Sequence, residues 1–423
     1  MTFSFSNFRF LDSFAFLSSS IDKLSSNLTK EQFKYTPDNE LLLKKGVYPY
    51  EYIDSYDRFN ESELPTKDKF YSHLNESGIS DDDYKHAQQV WNEFQIKNIG
   101  EYHDLYLKTD VLLLSDIFET FRTTALNNYG LDPANGYFTL PNYSWDCMLY
   151  NTKIELEQLI DPDMYLFCEQ GIRGGISVIT ERYAKANNKY MKNYNPNEES
   201  SYIMYYDANN LYGGAISENL PYKDFEWIEN IDIMNYDVDG NKGCFVECDL
   251  EYPDELHDLH NDYPLAPERT NVNKNELSNY QLNQLEIHNE KFNEKIEKLI
   301  PNLKNKTKYI THIKNLQYYI KKGLKLVKVH RVLQFTQSKW LKKYIDFNTN
   351  QRKNCKSDFE KDMYKLMNNA VFGKTMENVR GRVDIQLYTD ETLIQKQIAK
   401  PQFELAKIYN ENLVAIKSLK KMC

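Results

Sequence analysis

The sequence lacks three features that would assign it to a membrane or to the secretory route. No apolar run within its 423 residues reaches the roughly 20 residues that cross a bilayer. The first residues mix polar and aromatic side chains without a basic start, so a signal peptide is not predicted. The six cysteines show neither a disulfide framework nor the spacing of a zinc site. We therefore expect a soluble, intracellular chain without a membrane partner, for which a nuclear location stays open.

Internal repeats, low-complexity blocks and a P-loop are also missing from the sequence. Hydrophobic residues make up 41% of the chain and aromatic residues 14%, so a sizeable core can form. A chain of this length predicts two to four domains of about 100–200 residues each. The 33 tyrosines suit wet surfaces such as base-stacking platforms, although an Asn-, Lys- and Tyr-rich composition also explains them.

Charge is distributed unevenly along the chain. The net charge of −10 argues against uniform binding of nucleic acid. Residues 301–423, however, hold 26 Lys and Arg against 10 Asp and Glu, a net charge of +16, whereas residues 1–300 have a net charge of −26. This asymmetry predicts a polyanion-binding C-terminal part, with a solvated basic face as the alternative.

One carboxylate stands at the end of a short apolar run. Residues 202–206 are aromatic and aliphatic, which predicts a strand, and Asp207 follows directly. A polar turn, Tyr212 and a glycine pair come next. Loops at strand ends are where chemistry is usually placed, so Asp207 is a candidate catalytic residue. A structural Asx-turn that ends a buried strand is the alternative.

Two predicted helices carry further candidates. Residues 101–122 have apolar positions at helical spacing, and Tyr106 and Asp110 lie four apart on one face. Such a pair can place a carboxylate on a metal and a phenol on the attacking water, or it can be an ordinary polar pair. The second predicted helix, residues 358–380, presents a cation, an amide and an aromatic ring on one face. That face can hold a triphosphate and stack on a base pair, or it can be the surface of an amphipathic helix.

These stretches resemble motifs of the family B DNA polymerases. Residues 207–213 resemble motif A, D-x2-S-L-Y-P, with Asn210 for Ser and Gly213 for Pro. Residues 172–175 are similar to the Y-x-G-G element between exonuclease and polymerase, with Ile172 for Tyr. A glycine pair of this kind permits close approach of a sugar-phosphate backbone, although an ordinary turn has the same composition.

The remaining motifs follow in the family's order. Residues 365–373 resemble motif B, K-x3-N-S-x-Y-G, with Ala370 for Ser and Phe372 for Tyr. Tyr106 and Asp110 match the third exonuclease motif, Y-x3-D. The long insertion between motifs A and B, with a basic run before motif B, resembles the protein-primed branch, and the whole chain resembles its Polinton/Maverick version.

The resemblance implies an α+β multidomain fold. It comprises a right-hand polymerase with a partial palm and helical fingers, beside a remnant of an RNase H-like 3′–5′ exonuclease domain. The implied divisions are a partial exonuclease domain (1–125), a connection and palm with motif A (126–224), a protein-priming-type insertion (225–325), palm (326–350), fingers with motif B (351–380) and the start of a second insertion or palm (381–423).

The resemblance also implies the metal chemistry. Asp207 would bind both catalytic Mg²⁺ ions, with the carbonyl of Ala208 as an added ligand. Two ions are needed because one activates the primer hydroxyl while the other neutralises the triphosphate and the leaving pyrophosphate. Asp110, helped by Tyr106, would be one ligand of a 3′–5′ exonuclease.

The implied substrates are template-primer DNA and a deoxynucleoside triphosphate. Tyr212 would stack under the incoming sugar and exclude a 2′-hydroxyl, and Lys365 would grip the phosphates. The implied nucleotide-binding residues are Leu211, Tyr212, Arg352, Lys353, Lys365, Asn369, Phe372 and Gly373. The implied template contacts are Arg173, Gly174 and Gly175. The insertion at 225–325 would meet DNA and a terminal priming protein.

Two departures from the family pattern shape the functional expectation. The first two exonuclease motifs have no match before Phe8, and the third polymerase motif, D-T-D, has no match after motif B. Asp390 is not assigned to that motif, because it follows the motif B helix too closely and adjoins Glu391. We therefore expect a polymerase fragment that is inactive or nearly so by itself. A DNA-binding remnant without catalysis and a pseudogene product are the alternatives.

Overall fold

The computed structural model describes residues 3–5, 8–181 and 183–419, which form a mixture of helices and antiparallel strands. The helices are α1 (Ile21–Ser26), α2 (Asp81–Glu93), α3 (Ile99–Tyr129), α4 (Leu140–Thr152), α5 (Pro162–Gly171), α6 (Leu211–Ile216), α7 (His257–His260), α8 (Asn279–Ile287), α9 (Ile313–Lys321), α10 (Lys342–Asn354), α11 (Asp358–Thr375) and α12 (Glu391–Ile398). The strands are β1 (Phe3–Phe5), β2 (Phe8–Phe10), β3 (Leu220–Ile228), β4 (Lys242–Glu251), β5 (Glu268–Asn271), β6 (Glu297–Ile300), β7 (Lys306–His312), β8 (Lys325–Ser338), β9 (Val383–Tyr388), β10 (Phe403–Asn410) and β11 (Leu413–Leu419). The predicted mixture of helices and strands is confirmed.

The chain divides into two compact units, Met1–Lys374 and Thr375–Cys423. In the second unit, β9, β10 and β11 form an antiparallel sheet in the order β10-β11-β9. Asp390 begins α12 there, because its carboxylate accepts a hydrogen bond from the Leu393 N–H at 2.8 Å. Asp390 therefore has a helix-capping role.

In the first unit, α3 is the longest helix and has a defined start and end. The Asn98 side chain accepts a hydrogen bond from the Glu101 N–H at 3.0 Å, which satisfies a free donor of the first turn. Gly130 ends the helix in the left-handed conformation, at φ 74°, where a glycine avoids the steric cost of a Cβ. The predicted helix at 101–122 is thus confirmed and extends further in both directions.

The main core lies where α3, α4, α10 and α11 pack together. Its largest members are aromatic, including Phe121, Tyr143 and Tyr344, and α11 contributes Met363 and Met367. Burial of each large apolar side chain contributes roughly 1.5–3 kcal/mol. The opposite face of α11 is left to solvent, as the amphipathic pattern predicted.

A second core lies on a four-stranded antiparallel sheet with the order β3-β8-β4-β7. The central strands β4 and β8 pair along ten residues, from Lys242 with Thr336 to Glu251 with Lys325. Strands β4 and β7 belong to the predicted insertion at 225–325, and they share this sheet with β8 and with β3.

The predicted strand at 202–206 is wrong. These residues form neither helix nor strand, and their side chains are exposed, Tyr205 by 90% and Tyr206 by 83%. Aromatic and β-branched side chains fit a pleated surface, but a strand also needs a neighbouring strand for its backbone hydrogen bonds. None of the described strands pairs with this segment. Only the preceding Ser201 forms an isolated antiparallel bridge, with Asn187.

One predicted helix ends earlier than expected. The predicted helix at 358–380 corresponds to α11, which ends at Thr375.

A buried chain of polar side chains joins α3, α10 and α11. The Tyr129 hydroxyl donates to Asn348 Oδ1 at 2.7 Å, and Asn348 Nδ2 donates to Asn368 Oδ1 at 2.7 Å. All three residues are buried, and Asn348 is fully buried. Burial raises the pKa of the Tyr129 hydroxyl, which keeps it a donor. The three helices are therefore held in one register, because a shift would leave these groups without partners.

We predict that Asn348→Leu destabilises the first unit. The substitution removes both hydrogen bonds and leaves the Tyr129 hydroxyl and the Asn368 carbonyl unsatisfied in the core, each at a cost of about 1–3 kcal/mol. Urea unfolding measures the loss. The control is Asn350→Leu, at an exposed position of the same helix. Equal unfolding free energies for the two variants would contradict the prediction.

Candidate functional site

The segment after Asp207 folds into a short, anchored helix. Asn210 adopts a left-handed conformation, at φ 58° and ψ 46°, and its carbonyl accepts the Gly214 N–H at 2.8 Å. The Ser217 hydroxyl donates to the Gly213 carbonyl at 2.7 Å. Ile216, only 6% exposed, belongs to the same core as α11. Helix α6 is therefore attached to the main core at its C-terminal end.

This attachment brings together two residues that the sequence assigned to separate motifs. The rings of Tyr212 on α6 and Phe372 on α11 stack with centroids 4.3 Å apart and an interplanar angle of 13°. Tyr212 is 46% exposed, and Phe372 is half-buried. The two rings form a flat aromatic surface that a sugar or a base could contact.

The polar face of α11 lies next to this surface along the same helix. Lys365 is exposed, Asn369 is half-buried, and Gly373 is exposed with open space where a Cβ would stand. Arg352 and Lys353 are exposed in the last turn of α10. Within the described part of the chain, the side chains of Lys365, Arg352 and Lys353 form no ion pair. Positive charge is thus free to meet an anionic ligand.

Asp207 and Ala208 lie in the irregular segment before α6, and both are exposed. No group of three or more His, Cys, Asp or Glu residues that could hold a metal ion occurs among the described residues. Mg²⁺ in polymerase sites binds one or two carboxylates together with substrate phosphates and water. Asp207 is exposed and fits one such ligand.

Tyr106 and Asp110 lie on one face of α3, as predicted, but each has another partner. The Tyr106 hydroxyl lies 2.5 Å from the Tyr50 hydroxyl, and its ring stacks on Tyr48 at 4.8 Å. Burial, and then the bond to Tyr50, raise the pKa of Tyr106, so the phenol stays neutral. Asp110 Oδ2 lies 3.4 Å from Lys45 Nζ. Lys45 and Tyr50 were not found from the sequence, because nothing in their spacing indicates α3 as their neighbour.

Arg173 is held by the sheet. Its Nη1 donates to the Ile310 carbonyl at 2.6 Å, and its guanidinium lies 4.0 Å from the centre of the Tyr309 ring. The following Gly174 and Gly175 are exposed, with open space where a Cβ would stand. The arginine therefore fixes the start of a glycine loop on β7.

Among the described residues, no helix is long and apolar enough to span a membrane. No curated protein matches the chain. Among solved structures, the chain is similar to Phi29 DNA polymerase complexed with primer-template DNA and incoming nucleotide substrates, at 14% identity and a TM-score of 0.44, covering 90% of this chain and 50% of that chain. It is also similar to Phi29 DNA polymerase complexed with single-stranded DNA, at 16% identity, a TM-score of 0.41 and the same coverage.

The chain thus spans 50% of the length of these solved polymerases. A family model covers it almost completely. The model for DNA polymerase type B, organellar and viral, matches residues 1–418. The chain belongs to this family of type B DNA polymerases.

Proposed function

We propose that this chain carries the nucleotide-binding part of a protein-primed DNA polymerase, which adds deoxynucleotides to a DNA strand. The observation that carries the proposal is the stack of Tyr212 on Phe372 at 4.3 Å. It joins the stretch that resembles motif A to the helix that resembles motif B, although they are distant in sequence. Family membership supports the same function.

In this proposal the aromatic surface contacts the sugar and the nascent base pair. Tyr212 contacts the sugar and excludes a 2′-hydroxyl, and its neighbour Leu211 lines the same side. Phe372, Asn369 and Gly373 line the base pair. Gly373 suits that role because it is exposed and has open space around it.

The phosphates are assigned to the cations on α10 and α11. Lys365 is exposed and unpaired within the described chain, and so are Arg352 and Lys353. The connection from α10 to α11 is only residues 355–357, and the Asn348–Asn368 hydrogen bond holds the two helices together. The three cations are therefore presented by two helices that are connected by a short loop and joined by a buried hydrogen bond.

Asp207 is assigned to metal binding, with the carbonyl of Ala208 as a further ligand. Bound Mg²⁺ would lower the pKa of the attacking hydroxyl and neutralise the triphosphate. Asp207 is exposed and can reach such an ion. We propose that its partner carboxylate lies outside the described residues, so that this chain supplies part of the metal site.

Template DNA is assigned to the glycine loop at Gly174 and Gly175, whose backbone can approach a phosphate closely. Arg173 positions that loop on β7 and can contact template through its remaining N–H groups. The residues at 225–325 are proposed to meet DNA and a terminal priming protein, and the chain is proposed to derive from a Polinton-type or viral element.

An exonuclease role is assigned to Tyr106 and Asp110. The ion pair with Lys45 already neutralises Asp110, so a metal would have to displace the ammonium group. A remnant of a 3′–5′ exonuclease fits this arrangement.

A second candidate function is DNA binding without catalysis. It is supported by the net charge of +16 in residues 301–423 and by the exposed position of Asp207 outside the helices and strands. Under this alternative the same basic helices bind the DNA backbone, and no synthesis occurs.

We predict that Lys365→Ala weakens dATP binding by about tenfold or more, because a charge-assisted contact contributes roughly 1.5–3 kcal/mol. Equilibrium titration measures the dissociation constant. The matched control is Lys361→Ala on the same helix, since Lys361 is paired with Asp358 at 2.7 Å. An equal change in both variants would contradict the assignment of Lys365.

Under the second candidate function, in which the basic helices bind the DNA backbone, we predict that replacing both Arg352 and Lys353 by Ala lowers the slope of log affinity for primer-template DNA against log salt by about one to two. Each lost contact to a DNA phosphate removes nearly one released counterion. Lys342→Ala is the control, since Lys342 is paired with Asp346 at 2.7 Å. An unchanged slope in the double variant would place the DNA elsewhere.

Primer extension with Mg²⁺ separates the two candidate functions. We expect binding of primer-template DNA with little or no synthesis by this chain, because it presents a single catalytic carboxylate. Synthesis that is abolished by Asp207→Asn would contradict that expectation and support the polymerase. The second candidate is favoured if neither the unmodified chain nor the Asp207→Asn variant synthesises DNA, and if the chain binds DNA but does not bind dATP selectively.

A further inference from the structure

The two departures of this chain from the motif A pattern are in direct contact. A Cβ built on Gly213 would lie 2.5 Å from Asn210 Oδ1 and 2.6 Å from Asn210 Cγ, and it would also collide with Asn210 Nδ2. Real Cβ atoms essentially never lie within 3.0 Å of another, non-bonded heavy atom, so any side chain at 213 must displace this amide. The amide of Asn210 therefore occupies the space that the Pro ring of the family pattern would need.

The backbone itself does not require glycine at 213. Gly213 lies in the first turn of α6, and it is not among the residues with positive φ. Proline is also tolerated in a first turn, because the N–H groups there have no partner within the helix. The side chain of Asn210 remains as the feature that excludes a larger residue.

Asn210 has its own conformational requirement. It lies in the left-handed region at φ 58°, which asparagine tolerates better than serine does. Asparagine at 210 and glycine at 213 thus form a matched pair. Exchanging one member alone breaks the match.

Tyr212 lies between Asn210 and Gly213 along the chain. Asn210 begins the helical turn, Gly213 follows Tyr212 directly, and Gly213 is buried. A displaced amide at 210 or a shifted backbone at 213 changes the direction from which the Tyr212 ring meets Phe372. We propose that Asn210 and Gly213 together are positioning residues that hold Tyr212 on Phe372, and so determine how well the site distinguishes deoxyribose from ribose. The second part rests on the proposed function; the first does not.

The ring position is tested by fluorine NMR. A trifluoromethyl-phenylalanine placed at 372 reports the ring current of Tyr212, and Tyr212→Leu gives the signal without that ring. We expect Gly213→Ala to move the signal toward that of Tyr212→Leu. Gly214→Ala is the matched control, because no atom lies within 4 Å of a Cβ there, and it should leave the signal unchanged.

Restoring the family pair provides the complementary test. We expect Gly213→Pro alone to lose the stacked signal, and Asn210→Ser combined with Gly213→Pro to retain it. Thermal unfolding identifies variants that do not fold. If the proline variants do not fold, the comparison of Gly213→Ala with Gly214→Ala tests the proposal. Equal signals for Gly213→Ala and Gly214→Ala would overturn the proposal, as would loss of the stacked signal in a folded double variant.

Nucleotide titration separates this proposal from the proposed function. We expect Gly213→Ala to reduce the preference for dATP over ATP by about twofold or more, the smallest coupling usual between contacting residues. Lys365→Ala should weaken both nucleotides alike. A shifted fluorine signal in a chain that binds neither nucleotide would uphold the positioning role and contradict the proposed function. An unchanged preference despite a shifted signal would overturn the role in sugar selection.

Discussion

The candidate site depends on the packing of α11 into the main core. Met363, Met367 and Val371 bury one face of this helix against α3, α4 and α10. Because the apolar face is held inward, the opposite face must turn Lys365 toward solvent. Phe372, at the edge between the two faces, then meets Tyr212. One hydrophobic contact area therefore determines where both the cation and the aromatic surface lie.

The polar contacts within this core determine how its helices are aligned with one another. Apolar side chains of similar size can slide past one another at modest cost, whereas the bonds from Tyr129 through Asn348 to Asn368 form in a single alignment. Asn368 directly precedes Asn369 on the exposed side. A buried hydrogen bond and a proposed substrate contact are thus positioned by adjacent residues of one helical turn.

The part of the chain that carries Asp207 is constructed differently. Helix α6 is attached to the core through Ile216, but the residues before it have no neighbouring strand among the described elements. The aromatic side of the site is consequently attached to the core, while the carboxylate of Asp207 lies in an exposed, irregular segment.

Local sequence determined the helices and the order of the motifs. Helical spacing of apolar and polar positions predicted α3 and α11, because this signal depends on neighbours within one or two turns. The spacing of Lys365, Asn369 and Phe372 likewise placed them on one face. Only the tertiary structure decided that 202–206 would not form a strand, that Lys45 would neutralise Asp110, and that Asn210 would contact Gly213. Pairing of strands, ion pairs and close packing all depend on residues brought together by folding, and a single sequence does not indicate those distances.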